Sequence, residues 1–123
     1  MKFYRCDHCK NIITYVDNKG VPVHCCGQPM TELIPLDSSN PSAEKHVPVV
    51  EIDNNKINVS VGSIPHPSVE EHYIQFIAIE TKFGSQIRYF KPGELPNVQF
   101  ILAEGDEFIA AYELCNIHGF WKS

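Results

Sequence analysis

Apolar residues in this chain gather in short strand-like runs, and in one of them they alternate with polar residues with a period of two, the repeat of a strand that buries one face. Ile57, Val59 and Val61 interleave with Asn58, Ser60 and Gly62. Tyr73 to Thr81 is a run rich in β-branched and aromatic residues, and Gln86 to Phe90, Val98 to Leu102 and Phe108 to Leu114 continue in the same manner. Gly84-Ser85, Pro92-Gly93 and Glu104-Gly105-Asp106 punctuate these runs as turns. Nearer the N-terminus the β-like pieces are shorter: Lys2 to Arg5, Ile12 to Val16 and Gly20 to Val23, with a turn at Asp17-Asn18-Lys19-Gly20. No window sustains the 3.6-residue period of a helix. The pattern predicts an all-β protein whose longer strands form a β-sandwich.

The same pattern divides the chain. Residues 1–35 are too few to bury enough apolar surface alone, so this segment needs a metal or disulfides. Residues 36–42, Leu36-Asp37-Ser38-Ser39-Asn40-Pro41-Ser42, are polar and turn-rich and read as a linker. Residues 43–123 carry the sandwich.

Composition narrows the partners. The chain has 123 residues, 43% hydrophobic and 20% charged, which is the balance of a folded domain and not of a disordered tail. A formal net charge of −5 argues against nucleic acid or an anionic membrane as partner. No apolar run approaches the roughly 20 residues that span a bilayer. Met1 to Lys10 holds two cysteines and no apolar stretch of the signal-peptide kind, so a cytoplasmic location is expected.

Five cysteines is an odd number for a disulfide framework, and in a reducing compartment clustered thiols read as metal ligands. Cys6-Asp7-His8-Cys9 is a CxxC knuckle, and Cys25-Cys26-Gly27 follows after a gap of hairpin size. Four thiolates can close a tetrahedron around zinc or iron. The second pair is adjacent, not CxxC, so the geometry must be distorted, and Gly27 permits a tight turn after it. A purely structural zinc site fits this spacing as well as an iron site does. A vicinal disulfide would be strained and would leave the fifth cysteine over. His8 and His24 flank the site as bystanders, since four sulfurs fill it.

The remaining candidate ligands are His46, His66, His72, Cys115 and His118. Singly, each has a bland explanation as a surface or core residue. Cys115-Asn116-Ile117-His118-Gly119 follows directly on the strand Phe108 to Leu114, where a CxxH turn can aim both side chains at one ion. Pro65-His66-Pro67 cannot be helical and holds His66 extended. His72 stands at the start of the next strand. His46 lies where the linker enters the sandwich, within Glu44-Lys45-His46-Val47-Pro48. Five ligands exceed a structural zinc site and leave an octahedral ion one position short, which is what a catalytic metal needs.

Two sets of motifs carry a family resemblance. Phe3-Tyr4-Arg5-Cys6 with Cys9, then Cys25-Cys26-Gly27 and Pro29-Met30, resemble the desulforedoxin-like domain of desulfoferrodoxins. Glu44-Lys45-His46-Val47-Pro48, His66-Pro67 with His72-Tyr73-Ile74, and Cys115-Asn116-Ile117-His118-Gly119 resemble the three signature stretches of superoxide reductases. Together they run nearly the length of the chain, in order, and account for every cysteine.

The resemblance implies two iron ions per chain. One is held by Cys6, Cys9, Cys25 and Cys26. The other is held by His46, His66, His72 and His118 equatorially and by Cys115 axially, in an immunoglobulin-like sandwich. It implies reduction of superoxide to hydrogen peroxide by one electron and two protons, with no dioxygen released. Lys45 would attract superoxide and help protonate the product, and Glu44 would fill the sixth position in the resting state. Four neutral histidines and one thiolate leave a ferrous ion a local charge of about +1, which suits an anionic substrate on a net-negative protein. The resemblance further implies a small electron donor such as rubredoxin and a homodimer. The first iron would be an electron relay or a structural staple. Two other functions fit the residues: an electron carrier that uses the sandwich only to dock, and a zinc-ribbon interaction module.

Overall fold

In the computed structural model, which describes residues 1–123, the chain forms two compact units, Met1–Ile34 and Pro35–Ser123. The first holds two small antiparallel sheets. Strand β1 (Tyr4–Arg5) lies between β2 (Ile12–Ile13) and β5 (Thr31–Glu32), and β3 (His24–Cys25) pairs with β4 (Gln28–Pro29). Phe3, Cys6 and Met30 are the unit's only buried hydrophobic side chains. That is too little apolar burial to offset the entropy of ordering the segment. The predicted strand at Gly20–Val23 does not form, and β2 ends at Ile13, short of Val16. The reason is visible in the side chains: Val16 and Val21 are exposed, so neither piece has a face to bury.

The second unit is a sandwich of a three-stranded and a four-stranded antiparallel sheet. The first sheet has β6 (Pro48–Asp53), β7 (Lys56–Val61) and β10 (Asn97–Ile101), with β7 central. The second has β8 (Ile74–Thr81), β9 (Gly84–Tyr89), β11 (Phe108–Cys115) and β12 (Gly119–Lys122), in the order β12-β11-β8-β9. Their inner faces meet in one core: Ile57, Val59 and Val61 of β7, Phe100 of β10, Ile77 and Ile79 of β8, and Ala111 and Cys115 of β11. Alternation along β7 is clean, buried at 57, 59 and 61. In β8 and β11 both faces are buried, so those strands read as apolar runs.

Three elements of this second unit are absent from the sequence-based prediction. Strand β6 opens on Pro48, which is tolerated as a first strand residue, and its later residues are largely exposed. Strand β12 is only Gly119–Lys122. One helical turn, α1 (Ala43–His46), is too short to show a period. Leu36, at the head of the predicted linker, is hydrogen-bonded to β12: its N–H donates to Phe120 O and its carbonyl accepts from Lys122 N, each at 2.8 Å.

The register brings several strand ends together. Pro48 pairs with Val61 and Cys115 with Ile74, so the start of β6, the end of β7, the start of β8 and the end of β11 carry neighbouring connections. Those connections, with the last residue of β11, bear all five candidate ligands of the second set.

Candidate metal centres

The sulfurs of Cys6, Cys9, Cys25 and Cys26 lie within 4.8 Å of one another. The CxxC knuckle is built by the backbone. Lys10 N–H donates to Cys6 O at 3.0 Å, and Cys9 N–H donates to Cys6 Sγ at 3.4 Å. Thr31 Oγ1 donates to Asp7 at 2.8 Å and ties the knuckle to β5. The vicinal pair is solved by a hairpin turn. Cys25 pairs with Gln28, and Cys26 and Gly27 between them both have positive φ, +53° and +77°, the signature of a type I′ turn. That conformation turns the two adjacent sulfurs to one side.

These thiols do not ionise independently. The Cys9 N–H pulls Cys6 down to about 6, while the neighbouring sulfurs of Cys6 and Cys9 push Cys26 up to about 12. Four thiolates in one place require a cation. Sulfurs on a tetrahedral ion at about 2.3 Å stand roughly 3.8 Å apart; Cys9 and Cys25 are 3.5 Å apart.

In the second set, four imidazoles form a closed square. Ring centroids run His46 to His66 5.1 Å, His66 to His72 4.6 Å, His72 to His118 4.8 Å and His118 to His46 4.7 Å, each pair edge-on at 69–76°. The fifth donor, Cys115 Sγ, is buried at the end of β11, and all five donor atoms lie within 4.8 Å of one another. His118 is exposed, so the cluster opens to solvent on that side.

Neighbouring backbone sets which nitrogen each ring presents. His46 Nδ1 donates to Ser42 O at 3.0 Å and His66 Nδ1 to Pro67 O at 2.7 Å, which leaves Nε2 of each as the lone-pair atom. Nε2 of His66 and of His72 is buried and has no hydrogen-bond partner in the protein. His118 turns the other nitrogen inward: its Nδ1 is 3.0 Å from His46 Nε2 and 3.8 Å from Cys115 Sγ. Ligand nitrogens at right angles on an ion at about 2.1 Å stand roughly 3.0 Å apart, so the donor set fits one metal. Burial depresses the pKa of His46, His66 and His72, His66 to about 4. The rings are therefore neutral at physiological pH, as metal ligands must be. Burial pushes the Cys115 thiol up, partly offset by N–H groups of His118 and Ile117; the His118 N–H lies 3.4 Å from Sγ. The two knuckles are thus alike, each donating the N–H of residue i+3 to the sulfur of residue i.

Supporting residues carry no sequence signal of their own. Asn116 accepts from Tyr73 N at 2.9 Å and donates to Glu71 O at 3.0 Å, so it staples the His72 segment to the Cys115 turn. Trp121 stacks on His46 at 4.9 Å and 12°, and its Nε1 donates to His118 O at 3.1 Å. In the sequence Asn116 stands only as part of the CxxH turn. Glu113 is fully buried with neither carboxylate oxygen bonded, and burial holds its pKa well above the usual range. The alternation of β11 puts it on the same face as Cys115. A charge on Glu113 raises the Cys115 thiol further. Glu44 and Lys45 are exposed on α1 beside His46, and the Lys45 charge acts on both His46 and His72. His8 and His24 are exposed and outside both donor sets.

A family model described as desulfoferrodoxin matches residues 38–123. The chain is 38% identical over 122 residues to the desulfoferrodoxin of Nitratidesulfovibrio vulgaris, covering 99% of this chain and 94% of that one. It is 31% identical to the superoxide reductase of Pyrococcus abyssi, covering 72% of this chain and 91% of that one. The crystal structure of the superoxide reductase from Treponema pallidum superposes with a TM-score of 0.81 at 30% identity, covering 99% and 95% of the two chains.

Proposed function

The chain belongs to the desulfoferrodoxin family, and from that premise we propose which of its residues hold the metals and carry the reaction. The protein is a superoxide reductase with two iron ions per chain. Superoxide, one electron and two protons give hydrogen peroxide, and no dioxygen is released. When bound, ferrous iron in the histidine centre supplies the electron.

His46, His66 and His72 would hold that ion through Nε2 and His118 through Nδ1, with the Cys115 thiolate as a fifth donor from the buried side. The exposed face of the cluster, at His118, would then be left for the substrate. Lys45 draws the anion toward that face and supplies a proton to the product. Its ammonium is exposed, so the attraction is screened by salt. Glu44, on the same turn, would offer its carboxylate as a sixth donor when no substrate is bound. Cys6, Cys9, Cys25 and Cys26 hold the other iron. We assign residues 1–35 to the four-cysteine domain, 36–42 to the join and 43–123 to the catalytic domain. The donor is a small electron carrier such as rubredoxin, and the enzyme works as a cytoplasmic homodimer. The family resemblance supports these last assignments. No helix is long and apolar enough to cross a membrane.

The observation that carries the reading is the square of imidazoles with two buried, unpartnered Nε2 atoms converging beside a buried thiol. The test is metal content and rapid mixing with superoxide. Purified protein should hold two irons. Cys115→Ser should lose the second iron and the activity while keeping the absorption of the four-cysteine centre. Zinc alone, with no activity after ferrous reconstitution, would sink the reading.

A further inference from the structure

A cation that captures a diffusing anion must stay near the mouth of the site, and a side chain on a wandering loop does not. Glu44 and Lys45 stand between a turn-rich segment and the first sandwich strand, where the sequence leaves them free to swing. The structure holds their backbone from outside. Gly62 N–H donates to Val47 O at 3.0 Å, and Ser63 donates to Glu44 O twice, from N at 2.9 Å and from Oγ at 3.2 Å. Inside the turn, Val47 N–H donates to Ala43 O at 2.9 Å and Lys45 N–H to Ser42 O at 3.3 Å. Two consecutive residues at the end of β7 therefore grip the carbonyls on either side of Lys45 and His46.

Gly62 is needed there on two counts. Its φ is +73°, which disfavours any side chain. A Cβ at that position would stand 2.7 Å from both C and O of Lys45 and 2.9 Å from Glu44 O. Those are backbone atoms, so the Glu44–Lys45 part of the turn would have to shift. The same turn carries His46, whose ring is buried, so its position is already fixed at one end.

We propose that Gly62 and Ser63 are positioning residues for superoxide capture. They seat the backbone of Lys45 against the end of β7, so that its ammonium reaches the open face by side-chain rotation alone. The inference rests on the role given to Lys45 above.

The test uses the iron-loaded full chain as wild type, Gly62→Ala, Lys45→Ala and the double variant. Association with superoxide is followed by pulse radiolysis across ionic strength, and the thiolate-to-iron charge-transfer band reports the iron site. Gly62→Ala should slow association by up to about tenfold and flatten its salt dependence, with the band unchanged. The double variant should be no slower than Lys45→Ala, because the two changes remove one function. Trypsin should cut between Lys45 and His46 faster in Gly62→Ala, read by mass spectrometry. Should Gly62→Ala misfold, Ser63→Ala gives a smaller loss in the same direction, and Ser63→Thr restores it. Equal slowing by Gly62→Ala with and without Lys45 overturns the proposal, as does an unchanged rate and salt slope. If Lys45→Ala itself changes nothing, the role of Lys45 falls and the capture function of the clamp with it. Tryptic cutting then still shows whether Gly62 seats the turn.

Discussion

His66 gives its Nδ1 proton to the carbonyl of the next residue, Pro67, and sends Nε2 into the buried centre. The flanking prolines fix the backbone, and the bond fixes the tautomer. The low pKa of these rings makes the site sensitive to acid with a definite sign. The unfolded chain takes up protons on histidine near 6.5, whereas folded His66 resists protonation until about 4. Stability from this group is complete above the unfolded value and is lost as pH falls toward the folded one. The metal-free protein should therefore lose denaturant resistance between pH 6.5 and 4, and His66→Asn should flatten that loss. Iron should leave the histidine centre over the same interval, followed by its absorption. A flat profile in both would mean that the rings are not buried and neutral.

Individual elements do more than carry ligands. The Cys115–His118 turn closes the β11–β12 hairpin, with Cys115 paired to Gly119, so sheet and site share their hydrogen bonds. Asn116 couples that turn to the His72 segment through two bonds. Asn116→Ala should cost about 1–2 kcal/mol in folding stability and weaken iron binding, while Asn116→Asp should recover part of both. Thermal denaturation and competition with a chelator measure these effects. On the other face of β11, Tyr112 stacks on Phe120 and donates to Glu80 at 3.1 Å. Burial, then the Glu80 carboxylate, raises its phenol to about 12. Its contribution is complete below the unfolded value near 10 and is lost as pH rises toward 12. Wild type should destabilise across that alkaline interval more steeply than Tyr112→Phe. The longer strands were legible because β7 alternates and β8 and β11 are dense in β-branched and aromatic residues. β6, β12 and α1 were not, because short or edge elements lack a full period.

Over the whole molecule, the two units differ in what they rest on. The sandwich has a continuous core of two facing sheets, whereas Met1–Ile34 buries only Phe3, Met30 and Cys6. Stripping metal from the four-cysteine centre should open residues 1–34 to proteolysis and leave the strands of the sandwich protected from hydrogen exchange. Protection of both units after stripping would contradict this. The candidate ligands were readable from residue type and spacing. What held them was legible only in the tight turn that Gly27 permits; the staple at Asn116 and the Trp121 stack are long-range contacts that local patterns do not encode.

The square of imidazoles and its thiol also differ in when they come into being. Cys115 and His118 are three residues apart on one hairpin, while His46 meets His118 across 72 positions of sequence. Local contacts close early in folding, and distant ones wait. The sulfur is thus in its place once the sheet has formed, and the histidine segments arrive afterward. Hydrogen exchange of the nascent metal-free chain should protect β11 and β12 before residues 62–73. On this order an ion entering from the exposed His118 side would meet the Cys115–His118 floor before the other histidines close around it, so metal loading would belong to the late stage of folding.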